Sequence, residues 1–111
     1  MSRMLSTDRS ESDFAADEWA LILGGSSGFG LATAQRFVRA GLGVLIVHRD
    51  RRAAMGEIQP RFDALSCLAE EKGCGFRTWN ADATAPDKRA ATLDEIAAGI
   101  GAEGRIRVLL H

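Results

Sequence analysis

The chain has 111 residues, 46% hydrophobic and 26% charged, with a formal net charge of -1. That is enough for one small globular domain. Balanced charge gives no bulk field to recruit nucleic acid or an anionic membrane surface, and no apolar run approaches the roughly 20 residues of a membrane span.

Residues 1–18 are polar, Ser- and Asp-rich and without period, and read as a flexible leader. No apolar core follows Arg3, so the segment is not a secretory signal. Trp19 to Leu23, WALIL, is a short apolar run bounded by glycines and predicts a strand buried on both faces. After the glycines, Leu31, Ala34, Phe37 and Val38 recur at helical spacing, and Gly41 suits the left-handed residue that ends a helix. Val44 to His48 predicts a second buried strand, with Asp50 as the cap of the next helix. That helix carries Met55, Ile58, Phe62, Leu65 and Leu68 on one face. Pro60 predicts a kink or two helical pieces near Gln59, and Gly73 and Gly75 close the segment.

Phe76 to Asn80 predicts the third strand. Thr84 with Asp87 resembles a capping box, and Pro86 suits a first helical turn. Leu93, Ile96, Ala97 and Ile100 are the expected buried face of that helix, and Ile106 to His111 begins a fourth strand, inside which the chain ends. The order β-α-β-α-β-α-β predicts an α/β fold with a doubly wound parallel sheet covered on both faces. Cys67 falls on a helix and Cys74 in the turn after it. Neither has a nearby histidine to complete a zinc site, and both read as reduced thiols of a cytoplasmic protein.

The stretch LILGGSSGFGLA raises a chemical question: why does a strand end in so much backbone freedom? A parallel strand followed by a helix places the helix N-terminus at the strand's carboxyl end. Its free N–H groups and dipole favour an anion there. Gly24 permits the tight turn. Gly28 and Gly30 let backbone approach a pyrophosphate and let the helix pack on the sheet, and Ser26 and Ser27 add hydroxyls. The spacing G-x-x-x-G-x-G lacks the Lys-Ser/Thr of a triphosphate P-loop. A tight turn that binds nothing is the structural alternative.

LGGSSGFG resembles the cofactor loop of the short-chain dehydrogenases/reductases, T-G-x-x-x-G-x-G, with Leu23 in place of the usual Thr. The resemblance covers 19–111, the N-terminal half of that Rossmann-like fold. It implies that Gly24, Ser26, Ser27, Gly28, Phe29 and Gly30 hold the pyrophosphate and neighbouring ribose of a nicotinamide dinucleotide. It also implies that NADAT, Asn80 to Thr84, is the adenine segment, with Asp82 accepting from the adenine amino group and Ala83 donating its N–H. The structural alternative for Asp82 is a turn residue.

The second strand ends in VHRDRR. An acid at this place binds the ribose 2′-hydroxyl of NAD, whereas Arg accommodates the 2′-phosphate of NADP. His48 takes the strand-end position and Arg49 follows it. Asp50 is flanked by Arg49, Arg51 and Arg52, and this local excess of cations favours NADP(H) over NAD(H). His48 reads as a strand-end packing residue within that site.

The family's catalytic Tyr, the Lys four residues beyond it and the Ser that positions the carbonyl all lie past the fourth strand, and this chain contains no Tyr. The resemblance therefore implies the cofactor half of an NADP(H)-dependent oxidoreductase. Such an enzyme transfers hydride between nicotinamide and a carbonyl, alcohol or enoyl thioester, and the complete protein is expected to be a homo-oligomer. Three alternatives stand beside it. One is an enoyl-ACP reductase of fatty-acid synthesis, a branch that commonly has His-Ser where His111 stands. The others are a non-catalytic NADP-binding sensor and an interaction module.

Overall fold

A computed structural model describes residues 17–26, 28–82 and 84–110. The expectations for residues 1–16, Ser27, Ala83 and His111 lie outside the described residues. The described elements are β1 (Glu18–Leu23), α1 (Gly28–Arg39), β2 (Gly43–His48), α2 (Met55–Lys72), β3 (Phe76–Asn80), α3 (Pro86–Ile100) and β4 (Arg105–Leu110). A 3-10 turn, Arg52–Ala54, leads into α2. Glu18, placed in the leader by its polarity, already belongs to β1.

All strands are parallel, in the order β3-β2-β1-β4. The chain moves outward from β1 through β2 to β3, then returns to the other side of β1. This is the reversal that opens a crevice at the carboxyl ends of a doubly wound sheet. Every residue of β2 is buried, because both its faces are covered and both its edges are paired. Ile22, Val44 and Ile46 pack with Ala34 and Val38 of α1 and Ile58, Phe62, Leu65 and Ala69 of α2. The opposite face, Leu21, Leu45 and Val47, packs against Ile96 of α3. Alternate residues of each strand thus serve two separate cores.

Four local expectations give way. Pro60 lies within one helix rather than between two pieces. It sits in the second turn and brings no N–H to the Gly56 carbonyl, and Gly56 is exposed, so that carbonyl is open to water. Asp50 caps no helix: neither Arg51, at the start of the 3-10 turn, nor Ala54, before α2, makes a side-chain cap bond. The Thr84–Asp87 box does not form either. Ala85 precedes α3 without a side-chain cap bond, although Pro86 does open the helix as expected. The buried face of α3 is also turned: Thr92 and Ile96 are buried, while Leu93 is 51% exposed and Ala97 is exposed. Gly41 (φ +89°) and Gly73 (φ +72°) are left-handed, as their helix-ending positions demand.

Trp19 braces the amino end of the sheet. It pairs in register with Gly43, and a Cβ on Gly43 would lie 2.7 Å from its Cε3. Its ring reaches on to Gly75, where a Cβ would overlap the six-membered ring. One indole therefore spans the starts of three strands, over two residues that have no side chain.

Candidate nucleotide site at the carboxyl edge of the sheet

The glycine turn follows β1 directly. Gly24 N–H donates to the Val47 carbonyl at 2.7 Å, which ties the turn to the end of β2. Gly24 (φ +88°) and Gly28 (φ +62°) are left-handed, and a Cβ on either would meet nothing within 4 Å. Glycine is needed there for conformation, and the space over the turn is open. Gly30 is needed for a different reason: its Cβ would lie 2.6 Å from Gly24 O and 3.0 Å from Gly25 Cα. Helix α1 can start this close to the turn only because that atom is absent. Its first turn carries no acidic side chain, so its free N–H groups face no competing anion of their own. Phe29, 76% exposed, stands at the rim.

The ends of β2 and β3 supply the other wall. His48 is 3% exposed, its ring edge-on to Phe62 at 4.9 Å between centroids. His48 Nδ1 donates to Asp50 Oδ2 at 2.8 Å. The strand-end packing expected of His48 is what the structure shows. The Asp50 carboxylate, predicted to cap a helix, is taken up by His48. Arg49 turns the other way: its side chain is 74% exposed, and Nη1 lies 3.3 Å from Asp82 Oδ2. Asp82 Oδ1 accepts from both the amide N–H (2.9 Å) and the hydroxyl of Thr84, so Asp82 makes an Asx turn and takes Thr84 away from the helix cap.

Burial pushes the Asp50 pKa up, but hydrogen bonds from His48 and Ser26 and the favourable charge of His48 outweigh it, and the carboxyl lies below its ordinary value. Asp82 is also lowered, chiefly by the Thr84 hydroxyl and amide, with help from Arg49 and Lys88. A lowered folded-state pKa gives stability that is complete above the unfolded-state value and is lost as pH falls through the folded-state one. Asp50→Asn is therefore expected to flatten the acid limb of stability, followed by urea unfolding from about pH 7 down to about pH 3. An acid limb identical to the parent's would show that the His48–Asp50 pair contributes nothing.

Residues 18–111 match the family described as short chain dehydrogenase. The chain belongs to that family. Three solved structures are similar to this short chain dehydrogenase. NAD+-bound xylitol dehydrogenase shares 21% identity (TM-score 0.64) over 88% of this chain and 33% of its own. A short-chain type dehydrogenase/reductase from Mycobacterium ulcerans shares 29% (TM-score 0.65) over 84% and 31%. A multidomain structure with adenylation, ketoreductase and pseudo Asub domains, from a keto acid-selecting NRPS module, shares 19% (TM-score 0.69) over 94% and 9%. The chain thus spans about a third of the length of the first two. No match was found among curated proteins. No helix among the described residues is long and apolar enough to cross a membrane.

The cofactor implied by the family is a nicotinamide dinucleotide, and the residues present in this short chain dehydrogenase fit one. A diphosphate needs bare backbone at a helix N-terminus, and the open left-handed glycines and the anion-free first turn of α1 provide it. One nearby residue, Arg61, was not read as part of the site from the sequence, and Asn80, read there only as the start of the adenine segment, has a second role. Arg61 of α2 donates Nη1 to the Ser26 carbonyl at 3.2 Å. Asn80 grips Asp50: its Oδ1 accepts from Asp50 N–H at 3.0 Å and its Nδ2 donates to Asp50 C=O at 2.9 Å. Arg61 carries no periodic signal. Asn80 shows only as a polar, poor strand former at a strand end.

Proposed function

We propose that this chain is the cofactor-binding part of an NADP(H)-dependent oxidoreductase that interconverts a carbonyl and an alcohol, or reduces an enoyl thioester. The observation that carries the cofactor choice is the division of labour after β2. Asp50 is turned back onto His48, while Arg49 is presented at the rim. An exposed ion pair such as Arg49–Asp82 is weak, and the guanidinium has donors to spare, so a 2′-phosphate competes well for it. Arg51 and Arg52, both exposed, add to the local positive charge.

In this reading Gly24, Ser26, Ser27, Gly28 and Gly30 hold the diphosphate and adjoining ribose through backbone N–H and hydroxyl groups, with Phe29 covering the ribose. Arg49 holds the 2′-phosphate, aided by Arg51 or Arg52, and His48 fixes Asp50 from beneath. Asp82 and Ala83 hold adenine, since a carboxylate retains lone pairs beyond those given to Thr84 and Arg49. When bound, the nicotinamide supplies or accepts the hydride. These residues orient the dinucleotide, and proton transfer belongs to residues outside this chain, which has no Tyr. The substrate is a small molecule or acyl thioester, and the complete protein is a homo-oligomer. The unpaired Cys67 and Cys74 suit a reducing, cytoplasmic setting.

Arg49→Ala tests the proposal by titration of nucleotide fluorescence. Loss of one charge-assisted contact is expected to weaken NADPH about 10- to 150-fold and leave NADH nearly unchanged. Equal losses for the two cofactors would refute the 2′-phosphate role. No saturable binding of either by the parent protein would refute the nucleotide site.

A further inference from the structure

We infer that Asn80 selects which residue after β2 faces the cofactor, and so sets the NADPH preference from a neighbouring strand. The inference rests on the reading of Arg49 given above. Regular pairing between β2 and β3 ends at His48↔Asn80. Beyond it, Ala81 N–H still donates to the His48 carbonyl at 2.8 Å, and the Asn80 amide then satisfies both Asp50 N–H and Asp50 C=O. A side-chain amide has the donor and acceptor of a backbone peptide, so Asn80 acts as one more rung of the ladder.

Holding residue 50 like a strand residue prolongs the two-residue alternation past the end of the strand. His48 and Asp50 fall on one side, where the carboxylate meets the imidazole at 2.8 Å. Arg49 falls on the other, exposed and reaching Asp82 at the end of β3. Without the amide, nothing else described bonds the Asp50 backbone. The Asp50 backbone then loses both its rungs and His48 alone holds the carboxylate, so a turn of the chain at residues 49 and 50 that breaks this one contact carries the carboxylate to the rim beside Arg49, where it repels a phosphate. Asn80 is a positioning residue: it acts through Arg49 and Asp50, and its own side chain is satisfied by Asp50, with Met55 Sδ 3.9 Å from Nδ2.

The test compares Asn80→Ala and the near-isosteric Asn80→Leu with the parent in the intact protein, titrating NADPH and NADH and recording the thermal midpoint. The expected result is a loss of about 10-fold or more in NADPH-over-NADH selectivity in both variants, carried by weaker NADPH binding. A purely structural Asn80 would lower the midpoint and leave the selectivity ratio unmoved, and that outcome overturns the inference. Parallel weakening of both cofactors overturns it too, as does failure of both variants to fold. A parent protein with no preference for NADPH would instead overturn the reading of Arg49, which the parent titration alone reveals.

Discussion

Gly30→Val is expected to abolish nucleotide binding, with affinity for NADPH and NADH falling by at least about 100-fold, the equivalent of two lost hydrogen bonds to an anion. The cause is steric. A Cβ at this position lies 2.6 Å from the Gly24 carbonyl oxygen and 3.0 Å from Gly25 Cα. Both are backbone atoms and cannot swing aside, so α1 must move away from the turn and its N-terminal amides no longer converge. The same overpacking should cost about 1–3 kcal/mol of stability. Gly28→Ala is the informative companion. Its Cβ meets nothing within 4 Å, but φ is +62°, so the penalty is conformational, about 1–2 kcal/mol. Calorimetric titration of both cofactors, with urea unfolding of each variant, separates the two causes. A Gly30→Val protein with parental affinity would mean that the dinucleotide does not use this turn.

A second large effect on stability is expected at the other end of the sheet. Gly75→Ala drives a methyl into the Trp19 ring, and Gly43→Ala places one 2.7 Å from Trp19 Cε3 and 2.9 Å from Cδ2. Each should destabilise by about 1–3 kcal/mol, because the indole is pinned across three strand starts. In a Trp19→Leu background the glycine substitutions should become nearly neutral, giving a coupling energy of similar size in a double-mutant cycle. Additive losses would show that the glycines serve backbone conformation and not the indole.

The order of elements was legible because its signals are local. WALIL and VLIVH are continuous apolar runs, and β1 and β2 form there. Glycine marks the positions where φ turns positive at 24, 28, 41 and 73. The glycine turn was legible for the same reason, since its three glycines answer to demands that arise within seven residues. The capping assignments failed together, and for one reason. Asp50 and Thr84 each have short polar groups suited to a helix cap, but a closer partner took them first: His48 for Asp50, Asp82 for Thr84. The face of α3 was misread by one residue because helical spacing admits two adjacent stripes, and only the position of Leu45 and Val47 chooses between them.

Read from residues alone, this protein is already a parallel α/β domain that resembles the short chain dehydrogenase family, with a glycine-rich turn after its first strand. Periodicity and left-handed glycines act over a few residues and need no partner. Folding settled the rest. It decided that Asp50 turns inward while Arg49 turns outward, that Asn80 closes over the end of β2, and that Trp19 bridges two glycines 24 and 56 positions further along the chain. Apart from the bond of Asp50 to His48, two residues away, each of these pairs a group with one remote in sequence. Such competition for a hydrogen bond or a packing site is resolved only when the strands are brought side by side.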